Sequence, residues 1–98
     1  MTTVEISGTS LTAKGHAGYG PLGRDVVCAA VSILTQTLAE CLLRQESKGS
    51  VADVSLKLEP GDAEIRWKGE AECLPAIETG FELLNGSYPE YVILKVQK

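Results

Sequence analysis

One histidine, one tryptophan, one phenylalanine and one methionine occur in 98 residues, so the chain has little imidazole or aromatic chemistry to distribute. Its three thiols, Cys28, Cys41 and Cys73, are odd in number and spaced by 13 and 32 residues, which matches neither a zinc ribbon nor a C-x-x-C redox motif. Reduced thiols and no metal site are expected, with the role of each cysteine decided separately. Clustered cations are missing too. Nine Lys and Arg against thirteen Asp and Glu give a net charge of −4, and the dispersed cations argue against direct nucleic acid binding. No apolar run approaches the roughly 18 residues of a bilayer span, and MTTVEIS lacks the charged and apolar regions of a signal peptide. A cytoplasmic location without a membrane partner is the expectation.

What is present is an ordinary ordered composition, 44% hydrophobic and 22% charged, in a length that suits one domain over residues 1–98. TVEIS (3–7) and SLTAKGH (10–16) alternate apolar and polar residues around Gly8-Thr9, the pattern of an antiparallel hairpin. From Asp25 to about Arg44 no Gly or Pro intervenes. Val27, Ala30, Val31, Leu34, Leu38, Cys41 and Leu42 recur there at helical steps, and Gly49 is a suitable stop. VADVSLKLE and AEIRWKG flank Pro60-Gly61-Asp62 and predict a second hairpin. Residues 71–85 predict a second helix with Pro75 in its first turn, Leu74, Ile77, Phe81 and Leu84 inward and Gly86 as cap; YVILKV (91–96) predicts a last strand. The order ββαββαβ implies an α+β layer structure, a mostly antiparallel five-stranded sheet carrying two helices.

Two signals compete in GHAGYGPLGRDVVCAA (15–30). Gly18, Gly20 and Gly23 spell G-x-G-x-x-G, yet the preceding strand reads as half of a hairpin, where a dinucleotide fingerprint needs a buried parallel strand in a βαβ unit. There is no G-K-[ST] for a phosphate loop either. No cofactor is therefore expected, and the glycines read as a strand-to-helix loop able to rearrange and to let backbone approach a bound chain.

The second signal is the pair His16 and Cys28. Asp25 is a good N-cap, which places Cys28 in the first helical turn, where the macrodipole and unpaired amides favour a thiolate. Ser32 and Thr35 share its face of the helix. His16 ends the preceding strand, and the loop between must bring the chain back toward the helix start. Thiol plus imidazole is the minimum constellation for acyl transfer, His16 taking the thiol proton and returning one to the leaving amine. The amide of Cys28 or of a loop glycine would serve an oxyanion, and Asp25 is the candidate orienter of His16 if capping leaves it available. Cys41, mid-stripe, reads as core, and Cys73 as structural.

GHA at a strand end, a glycine-bearing loop and G-x-D-V-V-C-A-A-x-S opening the helix resemble the ribosomal-processing cysteine protease family, Prp, of Firmicutes and related bacteria. The twelve-residue step from His16 to Cys28, Ser32 four residues on, and Y-P-x-Y-V at Tyr88–Val92 extend the likeness over most of the chain. The resemblance implies a homodimeric cytoplasmic cysteine endopeptidase that removes a short N-terminal extension from large-subunit ribosomal protein twenty-seven. It implies Cys28 and His16 as the catalytic pair, Asp25 and Ser32 in support, and a substrate loop containing Gly15, Gly18, Tyr19, Gly20 and Gly23. AGYGPLGR departs from the family, since Tyr19, Pro21 and Leu22 stand where relatives carry polar or acidic residues or a second His. Two alternatives stand beside this: a non-enzymatic dimeric module binding a ribosomal or assembly partner, and a phage-borne relative processing a phage protein.

Overall fold

The computed structural model describes residues 1–21 and 23–97. Its elements are β1 (Thr2–Ile6), β2 (Ser10–Lys14), α1 (Val26–Ser47), β3 (Val51–Glu59), β4 (Asp62–Gly69), α2 (Leu74–Ser87) and β5 (Val92–Val96). The ββαββαβ order and the α+β class are those the hydrophobic periodicity predicts. The sheet order is β3-β4-β2-β1-β5. Four strands pair antiparallel, whereas β5 runs parallel to β1, from Thr2↔Val92 to Ile6↔Val96.

Period-two alternation decides which face is covered. Val4, Ile6, Leu11, Ala13, Ile65 and Trp67 are buried beneath the helices, while Glu5, Arg66 and Lys68 between them face water. Phe81, Leu38, Leu42 and Val27 descend from the helices into the same core and are fully buried. Each such side chain contributes roughly 1.5–3 kcal/mol of transfer free energy. The two helices approach closely at Gly80, where a Cβ would stand 2.7 Å from Leu34 Cδ2, so any side chain there would make the Leu34 end shift.

Several boundaries differ from the sequence reading. Strand β2 stops at Lys14, so His16 lies in the loop two residues beyond it and does not end the strand, because Gly15 takes φ +94° and turns the chain out of the sheet. Helix α1 continues past Arg44 to Ser47, because Gln45 turns inward and finds partners for its amide. Helix α2 begins at Leu74, after a turn at residues 71–73, and runs through Gly86 to Ser87. Its cap is Tyr88, whose N–H donates to the Leu84 carbonyl at 2.9 Å, while Asn85 Nδ2 donates to Val92 O at 2.7 Å and pins the last turn to β5. Helix α1 also contradicts the expectation from apolar runs: with neutral Ser, Thr and Gln between its apolar residues it is long and apolar enough by composition to cross a membrane, at a mean hydropathy of 1.9. In the fold its Val27, Val31, Leu38 and Leu42 pack onto the sheet as part of the core.

Candidate active site

Helix α1 starts where Asp25 stops the loop. Oδ1 accepts the N–H groups of Val27 and Cys28 at 2.9 and 3.0 Å, which satisfies two of the amides left open by the first turn. Oδ2 accepts those of Tyr19 and Gly20 at 2.8 and 3.0 Å. A single buried carboxylate thus ties the glycine loop to the helix that carries Cys28. Burial alone would raise its pKa, but the amides of Cys28, Gly20, Tyr19 and Val27 together outweigh that and hold it below the ordinary carboxylate value.

This arrangement also explains the glycine spacing. The loop and helix amides converge as an anion cradle, and the anion inside it is the protein's own Asp25. With both oxygens spent, Asp25 is cap and loop tie rather than orienter of His16. The Cys28 and Gly20 amides, considered above as oxyanion donors, are engaged by the same carboxylate. Gly18 lines the cavity, and its N–H makes no hydrogen bond among the described residues, so it is one loop donor free to meet an incoming oxyanion.

Cys28 is half-buried at the border of the core, and its Sγ accepts the Ala17 N–H at 3.2 Å. This bond joins the nucleophile candidate to the residue next to His16. Cys28 and His16 both face one cavity of about 660 Å³, which runs between the start of α1, the glycine loop and the β3–β4 turn. Gly15, Gly18, Gly20, Gly23, Asp25 and Ser32 also line it. Ser32 is exposed there, while Thr35 directs its hydroxyl to the Val31 carbonyl at 2.7 Å. Tyr19 points the other way: its ring makes edge contacts with Tyr88 and Tyr91 at centroid distances of 5.1 and 5.2 Å. The Y-P-x-Y-V segment is therefore the aromatic seat of the loop. Leu22 lies outside the described residues.

Sequence reasoning missed the opposite wall. Leu58, Glu59, Pro60 and Gly61 from the β3–β4 turn line the cavity because β4 lies beside β2, with Asp62 opposite Lys14. Gln36 lines it from α1. The P-G-D turn was legible as a turn, but its position follows from a strand order that sequence does not print. Lys14 Nζ bonds Asp62 and, at 2.7 Å, Glu64, and Lys57 bonds Asp62 at 2.6 Å. Hydrogen bonds from Lys14 and Lys57 hold the Asp62 carboxyl below its ordinary value.

A model of the cysteine protease Prp family matches residues 1–93. The chain belongs to the cysteine protease Prp family. Among curated proteins none matches it. Solved structures similar to this Prp-family chain include the essential ribosomal processing protease Prp from S. aureus with a covalently linked product peptide, at TM-score 0.82 and 23% identity over 99% of this chain and 100% of that one. The same S. aureus protease with a substrate peptide matches at TM-score 0.76 and 20% identity, again over 99% and 100%. SMU.848 from Streptococcus mutans matches at TM-score 0.70 and 26% identity over 98% and 95%. The fold is therefore that of solved Prp structures across nearly its whole length.

The other thiols lie away from the Prp cavity. Cys41 is half-buried and, contrary to the sequence reading, is not part of the core cluster. It neighbours Cys73, whose pKa is pushed up to about 12, first by burial and then by the adjacent Cys41 thiol. Cys73 is the N-cap of α2 yet makes no side-chain capping bond.

Proposed function

We propose that this Prp-family chain is a thiol endopeptidase with Cys28 as nucleophile and His16 as base and acid. The observation that carries the reading is the convergence of Cys28 and His16, from two elements, on one cavity walled by backbone-rich loop. In the first half-reaction Cys28 Sγ bonds to the scissile carbonyl carbon and its proton passes to His16. The tetrahedral oxyanion collapses, the C–N bond breaks, and His16 returns the proton to the departing amine. Water then attacks the thioester, its proton going to His16, and the acid product leaves as Cys28 regains a proton. Gly18 N–H is the oxyanion donor in this scheme.

The substrate is an extended peptide: the N-terminal extension of large-subunit ribosomal protein twenty-seven, cleaved in the cytoplasm by a homodimer of a chain that forms one domain over residues 1–98. The family resemblance of the His16–Cys28 block supports this substrate, and the S. aureus relative is itself a ribosomal processing protease seen with a substrate peptide. Cys28→Ala is expected to abolish cleavage of a peptide spanning the processing site, and His16→Ala to lower it by about 100- to 10,000-fold. Both should leave the melting temperature near wild type. Full cleavage by Cys28→Ala would overturn the reading.

A further inference from the structure

The His16 imidazole makes no side-chain hydrogen bond among the described residues, and the one nearby buried carboxylate is fully used by backbone amides. His16 is itself exposed, so what its ring touches decides where the ring stands. Gly61, in the β3–β4 turn, has φ +69°, and a Cβ there would stand 2.8 Å from His16 Nε2, 2.9 Å from Cε1 and 3.3 Å from Cδ2. The distal half of the ring therefore lies against the bare backbone of Gly61.

That backbone is itself fixed. Gly15 N–H donates to Gly61 O at 2.8 Å, one residue before the histidine, and the Lys14–Asp62, Lys14–Glu64 and Lys57–Asp62 pairs clamp the turn to the end of β2. We propose that Gly61 is a positioning residue for His16: the turn backbone is a shelf that sets the imidazole plane, doing by contact what a third carboxylate does by hydrogen bonding in other nucleophilic sites. The proposal rests on His16 serving as base and acid in the cleavage above.

A side chain at 61 must push the ring off the shelf or displace the turn, and misplacement of a catalytic group by about 1 Å costs on the order of 100-fold in rate. Gly49, remote from the cavity, has φ +82° with nothing within 4 Å of its virtual Cβ, so Gly49→Ala carries comparable backbone strain without the contact. Four proteins are compared with wild type: Gly61→Ala, Gly49→Ala, His16→Ala and the His16→Ala/Gly61→Ala double. The readouts are kcat, KM and the pH dependence of Cys28 alkylation by iodoacetamide.

The expected result is a kcat about 100-fold lower in Gly61→Ala with little change in KM, an altered alkylation profile, wild-type kcat in Gly49→Ala, and no added effect of Gly61→Ala on alkylation when His16 is absent. Wild-type kcat in Gly61→Ala, or an alkylation effect that persists without His16, overturns the positioning role while the protease reading stands. Full activity in His16→Ala overturns both. A measurement on the unmutated protein guards against misfolding of Gly61→Ala. Cross-relaxation in NMR between the His16 ring protons and the Gly61 α-protons is expected, and its absence refutes the shelf.

Discussion

The two ends of helix α1 solve one problem with different chemistry. At its N-terminus a carboxylate gathers four backbone N–H groups, from Tyr19, Gly20, Val27 and Cys28. Near its C-terminus a buried carboxamide, Gln45, donates to the Glu70 carbonyl at 3.1 Å and accepts the Glu72 N–H at 2.9 Å. The difference follows from what each end exposes. A helix start offers only donors, so an anion satisfies it; the chain linking β4 to α2 offers one acceptor and one donor, which an amide matches and a carboxylate does not. The charged tie stands beside the proposed nucleophile, Cys28, and the neutral tie beside the other two thiols, Cys41 and Cys73.

Replacing the charged tie should have the largest effect. Asp25→Asn substitutes a donor group for one of two acceptors and leaves backbone amides facing it, so the loop detaches from α1. Peptide cleavage should fall at least tenfold and the melting temperature should drop. The pH dependence is diagnostic: because folding lowers the Asp25 pKa, its contribution is complete above the unfolded value of about 3.9 and is lost as pH falls through the lower folded value. Thermal melts of wild type between pH 2 and 5 should show this acid loss, and those of Asp25→Asn should be flatter. Equal acid slopes would break the contrast between the two ties.

Gln45→Ala tests the other end. It leaves the Glu72 N–H and Glu70 carbonyl without their partner at a cost of about 1–3 kcal/mol, measured by urea denaturation, with kcat unchanged. Loss of kcat would mean that the ends are coupled through the helix. The smallest predicted effect is an ordering of thiols: iodoacetamide near neutral pH should label Cys28 first and Cys73 last, since the Cys73 thiol is pushed up to about 12 and has little thiolate. Mass spectrometry of partly labelled protein reads this directly. Labelling of Cys73 before Cys28 would refute it.

Much of this asymmetry was legible before folding. Asp25 ahead of an uninterrupted apolar stripe marks a helix start, and the glycine loop between His16 and Cys28 marks a site, because both rest on contacts within a few residues. Gly61 beneath His16 was not legible, since it depends on β4 choosing β2 as neighbour. The end of α2 differs from its local signal for a related reason. Gly86 carries a stop signal, but Asn85 and Tyr88 draw the helix onward through bonds to Val92 and Leu84, and tertiary pairing overrides local preference.

The seat of the glycine loop has a temporal consequence. Tyr19 rests on Tyr88 and Tyr91, far along the chain, and these residues lead into the strand that pairs with β1. Contacts between such distant residues close late and slowly during folding. The segment that carries His16 and Cys28 is local in sequence, whereas the anchor of the loop between them is not. The substrate wall of the cavity then becomes ordered only after the sheet has closed through the pairing of β5 with β1.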